Sequence, residues 1–157
     1  MNTPAVREML KANEGVRLAA YKDSLGILTV GVGFNLQRLD ARARCAMHGA
    51  NFDDVKAGIP LTMAQVDALL DEDIAACVAS LSDLLPTFKD MPEAAQMVLV
   101  DMRFQLGAGG LKNFKNTLAA FRAGEWKKAA AGLRASLAYK QTTKRWERNA
   151  KALEAIK

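Results

Sequence analysis

The chain has 157 residues, half of them hydrophobic and a quarter charged, with a net charge of +5. That is enough chain for one domain that buries roughly 70% of its unfolded surface, and the balance excludes a disordered or collagen-like chain. Two cysteines and one histidine leave no metal-ligand spacing and almost no material for a histidine-based metal site or serine–histidine dyad, so no metal or other cofactor is expected.

The opening, MNTPAVREML, has no basic start followed by a long apolar run, so no secretory signal is expected. No apolar run reaches about 18 residues, so no transmembrane segment is expected either. Thr3 and Pro4 read as a helix start, a side-chain cap followed by a proline whose missing N–H costs nothing there. Val6, Met9 and Leu10 repeat at helical spacing, and Gly15 predicts a stop near Asn13 or Glu14. From Arg17 the period shortens. Leu28, Val30 and Val32 alternate with Thr29, Gly31 and Gly33, which is strand spacing, and Lys22–Gly26 reads as a turn. Thr29 then shares a face with two glycines, and glycines in a strand often mark close approach of another backbone or a ligand.

Asp40 is placed to cap a short helix ending near Gly49, and residues 50–60 read as loop. Thr62 with Gln65 is a capping box. The stripe Val66, Leu69, Leu70, Ile74, Cys77, Val78 and Leu81 then predicts a helix from Met63 to about Leu81, roughly 28 Å long at ~1.5 Å per residue. Asp90 with Glu93 forms a second candidate box around Pro92. Residues 94–106 are apolar almost all round except for Gln96, Asp101, Arg103 and Gln105, as in a buried central helix, and Gly107, Gly109 and Gly110 are expected to end it. Shorter helices are predicted at 115–122, 126–134 and 143–156. Trp126, Trp146, Phe114, Phe121, Met97 and Met102 read as core, and Cys45 and Cys77 as buried structural thiols. The expected fold is α+β and mainly helical: a single domain with an α+β lobe at 14–61 containing a β-hairpin, a joining helix at 62–81, and a helical lobe at 82–157 with 1–13. A groove between two such lobes is a usual ligand site. From Lys112 onward the chain carries 12 lysines and arginines against 3 acids, where the rest carries 10 against 14. The basic segment favours a polyanionic partner such as a cell-wall polymer, nucleic acid or acidic lipid, or is simply a solvated helical face.

Within EGVRLAAYKDSLGILTVGVG, Glu14 closes a helix. A carboxylate there faces the negative end of the helix dipole, and partial burial would further favour its protonated form. Asp23 sits in a polar turn and is expected to stay ionised. Two carboxyl groups so separated are the equipment for breaking a glycosidic bond, and Thr29 could hold a water. Each residue taken singly is as readily a surface or turn residue.

The spacing EG-(x)5-YKD-(x)2-G-(x)2-TVGVG resembles the catalytic segment of the phage-type lysozymes, glycoside hydrolase family 24. The likeness continues through LTMAQVDALLDEDI, DMRFQLGAGGLKNFKNTL, Trp126–Ala131 and Tyr139–Arg145. The resemblance implies a lysozyme-like fold and a muramidase cutting the N-acetylmuramic acid–N-acetylglucosamine bond of bacterial peptidoglycan. It implies Glu14 as general acid, Asp23 as ionised carboxylate, and Thr29 as a partner of Asp23 in placing water, with inversion at the anomeric centre. Gly31, Gly33, Asn35, Phe104, Gln105, Thr117 and Arg145 are implied to line the saccharide groove, Arg145 near the catalytic glutamate. The implied setting is a monomeric phage endolysin that waits in the host cytoplasm for a holin to give it access to the wall, its basic segment drawn to the anionic envelope. Three positions depart from the best-known member: Phe34 replaces a histidine, Asn13 an acid, and Gly132 a groove asparagine. Rival readings are a lytic transglycosylase and a cationic membrane-active or nucleic-acid-binding protein.

Overall fold

A computed structural model describes residues 1–157. The fold is mainly helical with one small antiparallel sheet, and the chain forms two compact units, Thr3–Ala75 and Ala76–Lys157 with Met1–Asn2. The boundary falls inside the long helix Met63–Leu84 (α4).

The first unit begins with α1 (Thr3–Glu14), which buries Val6 and Leu10. Gly15, at φ +77°, turns the chain out of the helix and donates its N–H to Lys11 O at 2.9 Å. Three strands follow in the order β1 (Arg17–Lys22), β2 (Leu28–Gly31), β3 (Phe34–Asn35). The pairs Tyr21↔Thr29 and Thr29↔Asn35 fix the register. The strand expected to run through Gly33 instead ends at Gly31. Val32 and Gly33 are a tight turn, and both glycines hold positive φ, at +66° and +74°, where residues with a Cβ are strained.

Then come α2 (Ala41–Met47) and α3 (Phe52–Lys56). Asp40 precedes α2 but makes no side-chain cap, because its carboxylate is engaged by Arg38 at 2.9 Å. The segment expected as loop contains α3, whose start is capped by Asn51 Oδ1 accepting from the N–H groups of Asp53 and Asp54. The Thr62–Gln65 box is formed in both directions, at 2.9 and 3.2 Å. The first half of α4 carries acids that take cations from other elements of this unit. Arg7 and Lys11 of α1 reach Asp71 and Asp67. Arg44 of α2 reaches Glu72 and Asp73. Arg38 also reaches Asp73, and His48 Nε2 lies 2.9 Å from Glu72. These pairs hold α1 within the sheet-containing unit, whereas the sequence grouping put residues 1–13 with the helical lobe. Phe34, which is buried, lies under the guanidinium groups of Arg38 and Arg44 at 5.2 and 4.9 Å.

The second unit contains the end of α4, a 3-10 turn at Phe88–Asp90, α5 (Glu93–Lys112), α6 (Lys115–Ala123), α7 (Trp126–Arg134), α8 (Leu137–Gln141) and α9 (Thr143–Glu154). The second capping box does not form. Asp90 belongs to the 3-10 turn and Pro92 occupies the cap position, while Glu93 takes the N–H of Asn2. α5 does not end at Gly107. It breaks there, at φ 69° and ψ 174°, a conformation essentially restricted to glycine, and resumes to Lys112. Gly124 ends α6 in the left-handed region. Ser136 caps α8 through the N–H of Tyr139. The core is filled by Leu99, Met102, Phe121, Leu133, Trp146 and Leu153. Phe114 stacks on Trp146 with centroids 5.5 Å apart. Cys45 and Cys77 are buried free thiols.

Candidate active site

Asp23, Thr29, Gly31, Gly33, Asn35 and Glu14 all belong to the sheet-containing unit. Glu14 is the last residue of α1 and is exposed, not part-buried. The hairpin β1–β2 carries the other two residues. Gly26 donates to Asp23 O at 3.0 Å and Asp23 donates to Ile27 O at 3.0 Å. This is a three-residue hairpin loop, Ser24–Gly26, in which the third residue takes positive φ; Gly26 has φ +76°.

One carboxylate oxygen of Asp23 is built into that loop. Oδ1 accepts the N–H of Leu25 at 2.8 Å and of Ile27 at 2.9 Å. An aspartate that bonds the amide two residues on is an Asx turn, so the local reading of Asp23 as a turn residue is correct as far as Oδ1 goes. Oδ2 takes no part in the loop's bonds. Thr29 is buried, at 4% exposure, and its Oγ1 donates to Ile27 O at 3.1 Å. A hydroxyl has one proton and two lone pairs, so with the proton given to Ile27 the oxygen serves further partners as an acceptor. The peptide groups of Ile27 therefore bind both side chains: its N–H holds Asp23, and its C=O takes hydrogen bonds from the Asp23 backbone and the Thr29 hydroxyl. Residue identities cannot reveal this link, because every residue but proline offers the same amide.

Tyr21, Thr29 and Asn35 form a cross-strand row. Arg17 lies over the Tyr21 ring at 4.7 Å, and Asn35 Oδ1 accepts the N–H of Gln37. The two glycines have backbone reasons for their identity. At Gly31 a Cβ would also touch Val66 Cγ1 of α4 at 3.4 Å, whereas at Gly33 it would meet nothing within 4 Å. The close neighbour at Gly31 is a helix of the same unit.

Phe104, Gln105, Thr117 and Arg145 belong to the helical unit. Arg145 is held by buried Asp101, its Nη2 donating to Oδ1 at 2.7 Å and its Nε to both oxygens at 3.0–3.1 Å. Asn149 donates to the same carboxylate at 2.7 Å. Asp101 and Asn149 thus orient Arg145, a support that appears in the sequence only as one acid on an apolar helix. Gln105 is fixed at both ends, donating to Thr142 Oγ1 and accepting from Trp146 Nε1, each at 3.0 Å. Phe104 is part-buried. Thr117 borders a cavity of about 480 Å³ with Phe114, Lys115, Asn116, Gly132 and Ser136. A Cβ on Gly132 would fall 2.3 Å from Thr117 Oγ1, so the threonine fills the space a side chain at 132 would need.

The family model described as Phage lysozyme matches residues 11–152. The chain is 32% identical over 152 residues to the pre-baseplate central spike protein Gp5 of Enterobacteria phage T4, an alignment covering 92% of this chain and 26% of that protein. It is 26% identical over 160 residues to the probable T4-type lysozyme 1 of Dictyostelium discoideum, covering 96% of this chain and 94% of that protein. For the probable T4-type lysozyme 2 of the same organism the identity is 27%, over 92% of this chain and 90% of that protein. The chain thus spans about a quarter of the spike protein and nine-tenths or more of the two probable lysozymes.

Proposed function

The chain belongs to the phage lysozyme family, and from that premise we propose that it is a muramidase, hydrolysing the bond between N-acetylmuramic acid and N-acetylglucosamine in bacterial peptidoglycan. The observation that carries the reading is the Ile27 link, which ties Asp23 and Thr29 into one unit with acceptor oxygens left over on both. A water donating one hydrogen to Asp23 Oδ2 and the other to Thr29 Oγ1 keeps a lone pair for the anomeric carbon. Glu14 is the general acid. As the C1–O bond breaks, its proton goes to the departing sugar oxygen, the water oxygen bonds to C1, and the water's proton passes to Asp23. Attack from the face opposite the leaving group inverts the anomeric centre, as in glycosidases that leave room for a water between two carboxyl groups. The ionised Asp23 also offsets positive charge building on the sugar ring.

Phe104, Gln105, Thr117 and Arg145 are the residues of the helical unit that this reading assigns to the saccharide, with Gly31, Gly33 and Asn35 on the sheet side. The fixed amide of Gln105 and the anchored guanidinium of Arg145 support it, since positioned polar groups lose less entropy on binding. The setting we infer is release of phage from its host: a monomer reaching the wall through a holin, with the basic segment attracted to the anionic envelope. A second reading, favoured by the identity to a central spike protein, places the same chemistry in a phage particle. The protein would then be found in purified particles rather than only in the lysate.

Mass analysis of muropeptides released from purified peptidoglycan tests the reaction. Each cut should add the mass of one water, and Glu14→Gln should release nothing while keeping the fold. Anhydro products, or release by Glu14→Gln equal to wild type, would overturn the assignment. Proton NMR of the newly freed anomer reads the stereochemistry.

A further inference from the structure

Asp23 has a structural reason to be an aspartate, and that reason bears on how it works. The loop Ser24–Gly26 brings the amides of Leu25 and Ile27 onto a single oxygen, at 2.8 and 2.9 Å. It also leaves Ile27 O as the acceptor for the Thr29 hydroxyl at 3.1 Å. The convergence depends on Gly26. At φ +76° the chain is in the left-handed region, where a β-branched residue is a genuine outlier and asparagine is tolerated. Space is not the constraint, since a Cβ there would meet nothing within 4 Å; the backbone conformation is.

We propose that Gly26 is a positioning residue for the reaction. Through the Leu25 and Ile27 amides it pins Oδ1 of Asp23, so that Oδ2 alone works on the water, and it keeps Thr29 facing that water as an acceptor. The proposal rests on the reading that Asp23 and Thr29 hold the attacking water. A generic turn with the same residues would stabilise the hairpin and nothing more; the difference lies in whether turnover responds separately from stability and from substrate affinity.

The experiment compares Gly26→Val, Gly26→Asn and Asp23→Asn with wild type. It measures kcat and KM on soluble peptidoglycan strands well below each Tm, together with amide hydrogen exchange at residues 25 and 27. Misplacing a reacting group by an ångström costs up to about a hundredfold in rate. Gly26→Val should therefore lower kcat about tenfold or more, with KM within about twofold, and lose amide protection at 25 and 27. Gly26→Asn should hold kcat within about threefold and retain the protection, because asparagine adopts the left-handed conformation. Wild-type kcat in Gly26→Val, or equal losses in the valine and asparagine variants, would overturn the proposal. Asp23→Asn separates the two layers, since it keeps the Oδ1 acceptor and removes the charge. If it turns over like wild type, the reading of Asp23 itself falls. If it is inactive while Gly26→Val is fully active, only the positioning role falls. Should Gly26→Val not fold, Gly26→Ala replaces it, since it brings a Cβ into the left-handed region without the branch; its kcat should fall below that of Gly26→Asn with the same loss of amide protection, and a kcat equal to wild type would overturn the proposal.

Discussion

Replacing Gly132 by alanine should destabilise the chain in its own background and stabilise it once Thr117 is shortened. Gly132 lies inside α7, where alanine is ordinarily favoured over glycine by about 1 kcal/mol. Here the new Cβ would lie 2.3 Å from Thr117 Oγ1, with the threonine Cβ and Cγ2 at 3.3 and 3.5 Å. Thr117 is 6% exposed and β-branched, so its χ1 has few places to go. Forcing an atom into such a site typically costs about 1–3 kcal/mol, which at least offsets the propensity gain and leaves a net loss of about 0–2 kcal/mol. In a Thr117→Ala background the Oγ1 contact is gone and the nearest remaining atom is the Cβ at 3.3 Å. The same change should then gain up to about 1 kcal/mol. Thermal and urea unfolding of the four proteins closes the cycle, with a coupling of about 1–3 kcal/mol and roughly 2–4 °C per kcal/mol for a chain of this size. If Gly132→Ala raises Tm equally in both backgrounds, the steric account is wrong.

Asp101→Leu should cost about 3–5 kcal/mol, the loss typical of removing one member of a buried pair, because the buried Asp101 carboxylate takes hydrogen bonds from both Arg145 and Asn149; a urea-unfolding loss under about 1 kcal/mol would show that the pair contributes no more than a surface one. The Glu147 carboxyl is held down from 4.5 to about 2, first by its bond from Arg134. A lowered folded value means that the contribution is complete above the unfolded value and lost as pH falls toward the folded one. The Tm difference between wild type and Glu147→Gln should therefore be greatest above pH 5 and shrink between about 4.5 and 2, and a difference constant over that range would remove the argument.

What the sequence displayed well was local. The Thr62–Gln65 box formed as read because both partners lie within one turn and nothing distant competes for them. The Asp90–Glu93 pair had the same signature and did not form, because Asp90 lies in the 3-10 turn and Glu93 takes the N–H of Asn2; Asp40, read as a single cap, is engaged by Arg38 instead. α3 was missed because five residues are too few to show a helical period. The pairing of the α4 acids with Arg7, Lys11, Arg38, Arg44 and His48 joins residues up to 64 apart, which no spacing rule addresses. In the candidate site the side chains Glu14, Asp23 and Thr29 were visible as residue types. The Leu25 and Ile27 amides that organise two of them were not, since a backbone amide has no letter of its own.

The motif spacing itself follows from one hairpin. Asp23 and Ile27 flank the three-residue loop Ser24–Gly26, in which Gly26 returns its N–H to Asp23 O while Ile27 faces Asp23 across the ladder. Two residues beyond Ile27, the alternation of a strand brings Thr29 to the same face, opposite Tyr21. The six-residue step from aspartate to threonine is thus the spacing that, across a three-residue loop, seats a turn aspartate and a strand hydroxyl on one Ile27 peptide unit. A one-residue slip in β2 would keep every residue of the motif in the sequence and send Thr29 to the opposite face. The spacing therefore records the register of this hairpin, and chemistry enters only through the lone pairs that the register leaves unspent: Asp23 Oδ2 and the acceptor side of Thr29 Oγ1. Glu14 stands outside this logic. It is fixed by the end of α1 rather than by the sheet, so its spacing to Asp23 is set by different elements of the same unit, a helix stop at Gly15 followed by the length of β1.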